Sequence, residues 1–123
     1  MKLNEAIMRV QTLKPSQYSI EDMARWVSDL DSLLYKEVVV WHEGTEETAH
    51  GPYDPDADGE TELMVPDPYS DIYVKYLIAQ IDFYNSEISR YNQSMIMYNS
   101  ALSAYSDWLN RNHVPKQDYF VRI

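Results

Sequence analysis

The stretch that most constrains the fold is Tyr84 to Arg111, which divides into four sevens, YNSEISR, YNQSMIM, YNSALSA and YSDWLNR. Tyr84, Tyr91, Tyr98 and Tyr105 each precede an aliphatic or thioether residue by four places: Ile88, Met95, Leu102 and Leu109. Continued back through Ile81, Leu77 and Val74, the stripe alternates steps of four and three, the 3.5-residue period of a helix whose seam faces another helix. No Pro or Gly interrupts Tyr69 to Val114, so the pattern predicts one unbroken helix. Such a rod would span roughly 65 Å at 1.5 Å per residue, more than a chain of 123 residues can cover.

The other faces of this helix are polar but thinly charged. From Ile72 to Asn112 the charged residues are Lys75, Asp82, Glu87, Arg90, Asp107 and Arg111, fewer than a solvated helix usually carries. Met95, Ile96 and Met97 are consecutive and point around most of the circumference. Both features predict contact on several sides and favour self-association over a bundle closed within one chain. The chain also holds eleven Tyr against two Phe, and a ring carrying a hydroxyl favours interfaces over a dry core.

Around this rod the sequence predicts an all-α fold. It is a small helical bundle with one long C-terminal helix, an acidic central loop (43–66) and an extended tail (115–123), residues 1–114 forming one domain. Leu3 to Leu13 reads as a short amphipathic helix capped by Asn4, with Leu3, Ile7, Val10 and Leu13 on one face. Lys14 and Pro15 end it. Ser19 with Asp22 opens a second helix, carried by its apolar stripe (Met23, Trp26, Val27, Leu30, Leu33, Leu34, Val38, Trp41) to about His42. Leu63, Met64 and Val65 form a short patch, a strand or a clamp onto the helices. Asp67 and Pro68 read as cap and first turn of the long helix, and His113 at its far end as a cation complementing the helix dipole.

Charge is concentrated in one place. Of a formal net charge of −10, eleven acids and no Lys or Arg lie between Lys36 and Lys75, leaving the rest nearly neutral. That surface excludes ordinary nucleic-acid binding, which needs Lys and Arg on phosphates. It suits a wall past which DNA slides, or a mimic of the phosphates themselves. Its prominent acids are Glu43, Glu46, Glu47, Asp54, Asp56, Asp58, Glu60 and Glu62. Asp54, Asp56, Asp58, Gly59, Glu60 and Glu62 match the first half of a calcium loop, but its twelfth position is Val65 and Gly and Pro precede it instead of a helix. The run reads as a solvated acidic loop. His42, Glu43, Glu46, Glu47 and His50 could form a divalent-metal cluster if helical, since His42, Glu46 and His50 would share a face, yet Gly44, Thr45 and Gly51 argue against a helix there. With no cysteine, no phosphate-cradling glycine loop and no recognisable nucleophile motif, neither an enzyme nor a cofactor or metal is expected. No apolar run approaches the ~20 residues that cross a bilayer, so no membrane partner is expected.

The last residues, PKQDYFVRI, alternate as an extended strand does, with no strand in this chain to pair with. Tyr119, Phe120, Val121 and Ile123 either fold back on the helices or add to a partner.

Three stretches, LNEAIMRVQTLKPSQYS, TELMVPDPYSDIYVKYLIAQIDFYNSEISRYNQSMIMYN and YSDWLNRNHVP, resemble a family of small proteins encoded among the head-assembly genes of tailed bacteriophages and prophages, the head–tail connectors or adaptors. The resemblance implies a mostly helical protein that forms a ring on the portal, twelvefold with it, extends the DNA channel and offers a docking surface for a tail or stopper protein. The implied location is the head–tail junction of the virion, after assembly in the host cytoplasm. It also implies that Leu77, Ile81, Tyr84, Ile88, Tyr91, Met95, Tyr98, Leu102, Tyr105 and Leu109 pack within the bundle and between ring neighbours. Tyr119 to Ile123 would be a portal-binding extension, and part of the acidic segment would face passing DNA or the tail side. The alternative from another class is a small acidic inhibitor that mimics DNA.

Overall fold

The computed structural model describes residues 1–44 and 52–113. Among the described residues four α-helices carry the fold: α1 (Leu3–Leu13), α2 (Ile20–Glu37), α3 (Ile72–Tyr84) and α4 (Ile88–Asn112). They run alternately up and down. The α1 end and the α2 start lie beside the α3–α4 turn, where Lys14 pairs with Asp82 and Glu87 and Tyr18 and Trp26 meet Tyr84. The all-α expectation holds among the described residues.

The unbroken rod does not form. The helix stops at Tyr84 and reverses, so α3 and α4 lie antiparallel, with Ser94 opposite Asp82, Tyr98 opposite Tyr76 and Trp108 opposite Tyr69. The stop is a Schellman motif. Ser86 adopts φ 59°, its N–H donates to the Phe83 carbonyl at 3.0 Å, and the Glu87 N–H donates to the Asp82 carbonyl at 3.0 Å. Glycine usually fills that left-handed position, and a serine there gives no sequence warning. Folding back lets the heptad stripe bury against itself: Leu77 and Ile81 on α3 and Tyr98, Tyr105 and Leu109 on α4 are buried, with Met95 and Leu102 half-buried. The expectation that the rod outgrows its own chain falls with the turn.

Smaller boundaries also move. Asn4 does not cap α1, which begins at Leu3; the Asn4 N–H donates to the Gly59 carbonyl at 2.9 Å, and its amide closes over Gly59, where a Cβ would lie 2.5 Å from it. The Ser19–Asp22 capping box is present, with the Asp22 N–H donating to Ser19 Oγ at 3.1 Å. However, α2 ends at Glu37 rather than near His42, because the β-branched run Val38 to Val40 leaves the helix for a 3₁₀ turn, Val39–Trp41. Asp67 caps nothing. Its carboxylate accepts from Ser70 Oγ, and after the cis Asp67–Pro68 peptide a 3₁₀ turn, Tyr69–Asp71, precedes α3. Leu13 and Leu33, assigned to buried faces, are exposed.

The acidic segment is more than a solvated loop. Tyr53, Leu63, Met64 and Val65 are buried, and an antiparallel bridge joins Glu62 to Lys2, with the Leu63 N–H donating to the Met1 carbonyl at 2.9 Å. Residues 61–65 therefore clamp α1 against α2. Burying side chains such as Leu30, Leu77 and Val65 contributes about 2 kcal/mol each, and that apolar set holds the bundle closed.

Candidate functional site

At the centre of the bundle lies a carboxylate that the apolar pattern hid. Asp31 on α2 is fully buried. The Tyr53 hydroxyl donates to its Oδ2 at 2.5 Å and the Tyr73 hydroxyl to its Oδ1 at 2.6 Å, while the Met64 N–H reaches Oδ2 at 3.4 Å. Tyr73 in turn accepts from the Val65 N–H at 2.8 Å. Burial first, and then the Asp31 carboxylate, push both phenols well above their ordinary value. This network ties the acidic segment to α2 and α3. Its groups are sealed from solvent and saturated with one another, so it is an anchor and not a place where substrate could bind. The expected preference of tyrosines for interfaces is corrected for Tyr53, Tyr73, Tyr98 and Tyr105, which belong to the core.

A second buried carboxylate, Asp82, fixes the α3–α4 turn, called the elbow below. It pairs with Lys14 Nζ and accepts from Ser94 Oγ at 2.5 Å; Lys14 also reaches Glu87 at 3.2 Å. Burial lowers the Lys14 pKa, but hydrogen bonds to Asp82 and Glu87 outweigh it and hold the amine above its ordinary 10.5. The Tyr18 hydroxyl donates to Asn85 Oδ1 at 3.0 Å. Lys14 and Tyr18 from the connection between α1 and α2, with Asp82, Asn85 and Glu87 from the elbow, thus lock these segments into one end of the molecule.

On the outside of that lock is the most site-like surface among the described residues. Trp26 and Tyr84 stack at 5.4 Å with their planes 6° apart, Tyr18 meets Trp26 edge-on at 5.4 Å, and Phe83 bridges Tyr84 at 5.2 Å and Tyr91 at 5.4 Å. Phe83, Tyr84, Ile88 and Tyr91 line an open groove of about 440 Å³ with Glu87 at its edge. Ile88 is 72% exposed and Phe83 and Tyr84 54% each. A contiguous aromatic patch of this kind marks a contact surface. Ile96 and Met97 remain exposed further along α4.

Of the ten stripe residues expected to pack within the bundle and between ring neighbours, Tyr84, Ile88 and Tyr91 border this groove; Leu77, Ile81, Tyr98, Tyr105 and Leu109 are buried in the core, and Met95 and Leu102 pack half-buried against it. The opposite pole is the acidic one. Asp54, Asp56, Glu60 and Glu62 are exposed and Asp58 is half-buried. The aspartates turn inward on their own loop: Asp58 Oδ2 accepts from the Asp54 N–H at 2.8 Å and Asp54 Oδ1 from the Asp56 N–H at 2.9 Å. No group of three or more potential ligands converges on a metal position among the described residues. His42 is buried, with Nδ1 2.9 Å from the Val38 carbonyl and Nε2 2.8 Å from Asn110 Oδ1, which pins the α2 exit to the end of α4. Glu43 is exposed, and its carbonyl lies 3.0 Å from His113 Nδ1. Glu46, Glu47, His50, Tyr119, Phe120, Val121 and Ile123 lie outside the described residues. No helix among the described residues is long and apolar enough to cross a membrane.

The chain finds no match among known family models, curated proteins or solved structures.

Proposed function

We propose that the protein is a structural, non-enzymatic assembly subunit, a head–tail connector whose copies form a ring on a phage portal and prolong the DNA channel. The observation that carries this reading is the exposed aromatic groove at the elbow, at one pole of a bundle whose other pole is acidic. The polarity suits a subunit that docks to protein through one end and turns carboxylates toward passing DNA or the tail. Phosphates pass an acidic wall without sticking, since like charges repel. The resemblance of the three quoted stretches to connectors supports the same role.

The test is mass measurement by light scattering, with and without the portal of the same phage, followed by imaging of any particle formed. A ring, alone or on the portal, is expected. A monomer that ignores the portal would overturn the reading, and one that displaces DNA from a basic partner would support phosphate mimicry in its place.

A further inference from the structure

We propose that the elbow groove receives the C-terminal segment, residues 114–123, of a second copy of this chain, so that copies join end to end. This deepens the self-association reading above and rests on it. The groove is largely apolar and aromatic and is left open by the described residues; Phe83, Tyr84, Ile88 and Tyr91 line it together with Asp82, Ser86 and Glu87, and Ile88 and Phe83 are exposed. Two segments of the chain lie outside the described residues. TEETAHG, 45–51, has no large apolar side chain to fill an aromatic groove. VPKQDYFVRI, 114–123, has Tyr119, Phe120, Val121 and Ile123 to fill it; Glu87 is already paired with Lys14 at 3.2 Å and Arg90 at 3.3 Å.

A chain cannot seat Tyr119 and Phe120 of this segment in its own groove. The described chain ends beyond Asn112 at the foot of α4, and the groove lies at its head, about 33–37 Å away at 1.5 Å per residue. Only residues 114–118 are free to cover that distance before Tyr119 must be seated, and fully extended they reach about 18 Å. A second copy, placed with its α4 foot toward the first copy's elbow, meets no such limit. The contact joins two different surfaces, so it is heterologous: it closes into a ring if the rotation per copy divides a full turn and otherwise runs on as a filament. On this arrangement the residues that the connector resemblance assigns to a portal contact belong to the joint between copies.

The chain has no cysteine, which permits a direct test. Full-length Ile88→Cys, isotopically labelled, is mixed with unlabelled Phe120→Cys and oxidised mildly, and the adducts are weighed intact. Ile88 is exposed, so the substitution leaves the core untouched. The mixed disulfide should exceed both self-adducts, and the adduct of Phe120→Cys with Lys36→Cys, exposed at the far end of α2, by ~10-fold or more, because seating raises the local thiol concentration toward the millimolar range. The double variant Ile88→Cys/Phe120→Cys should give a ladder of oligomers. A mixed adduct at the level of the Lys36→Cys control, or an intrachain disulfide in the double variant, overturns the proposal. Light scattering on the same samples separates the two failures: oligomers without the mixed adduct reject the joint and keep self-association, whereas monomers throughout reject both.

Discussion

Asp31 concentrates the polar bonding of the interior: two phenols and a backbone N–H converge on one carboxylate that water does not reach. Replacing it by Ala leaves two buried hydroxyls without their acceptor, and Asp31→Ala is expected to lower stability by about 3 kcal/mol in denaturant unfolding. Titration supplies a second check. Burial and the neighbouring Tyr76 raise Tyr98 to about 12; Tyr53 and Tyr73 are raised by burial and by Asp31, and Lys14 is raised as described. Each of these groups is protonated in its stabilising form and has a folded value above the unfolded one. Their contributions are therefore complete below about pH 10 and are lost as pH rises through the folded values. The denaturation midpoint should fall steeply between about pH 10 and 12; a midpoint unchanged across that range would contradict the network. Asp31 was legible only in hindsight: it lies four residues after Val27 and three before Leu34, inside the α2 stripe, where an acid among core positions implies buried donors elsewhere in the chain.

The decisive feature at the scale of elements is the reversal at Asn85 to Glu87. Leu77, Ile81, Met95, Tyr98, Leu102, Tyr105 and Leu109 of the stripe pack in or against the core, because a heptad stripe buries equally well against a separate helix or against its own continuation folded back. Periodicity could not show the turn, since neither Gly nor Pro marks it and a single serine holds the left-handed conformation. The two structures respond oppositely to one substitution. Ser86→Gly removes the left-handed cost in the hairpin and should stabilise it by about 1 kcal/mol, whereas in a continuous helix the same change would destabilise by about 0.5 kcal/mol. Thermal unfolding with helical content followed by circular dichroism reads the sign directly. The ends of α2 and α3 were misplaced for separate reasons: the β-branched run Val38 to Val40 left the helix, with His42 held to Asn110, and the Asp67 carboxylate was taken by Ser70 Oγ three residues on.

The whole molecule is a polar object in the literal sense, with an aromatic pole at the elbow and a carboxylate-rich pole where the acidic segment clamps α1. The acidic half was plain from composition. The aromatic half was not, because Tyr18, Trp26, Phe83 and Tyr84 come from separate parts of the chain and meet only once the hairpin has formed; the expectation of uncovered apolar surface survives, but on a groove instead of along a rod. If this pole is where copies meet, a charge placed on it must separate them, since a carboxylate facing an apolar partner is left unpaired on association. The most direct measurement is light scattering of the purified chain against Ile88→Glu, a substitution at an exposed site that should leave the fold intact by circular dichroism. The account predicts that the unaltered chain weighs a multiple of 14.5 kDa, alone or on its portal, and that Ile88→Glu returns it to the mass of one chain. Equal masses for the two proteins would contradict it.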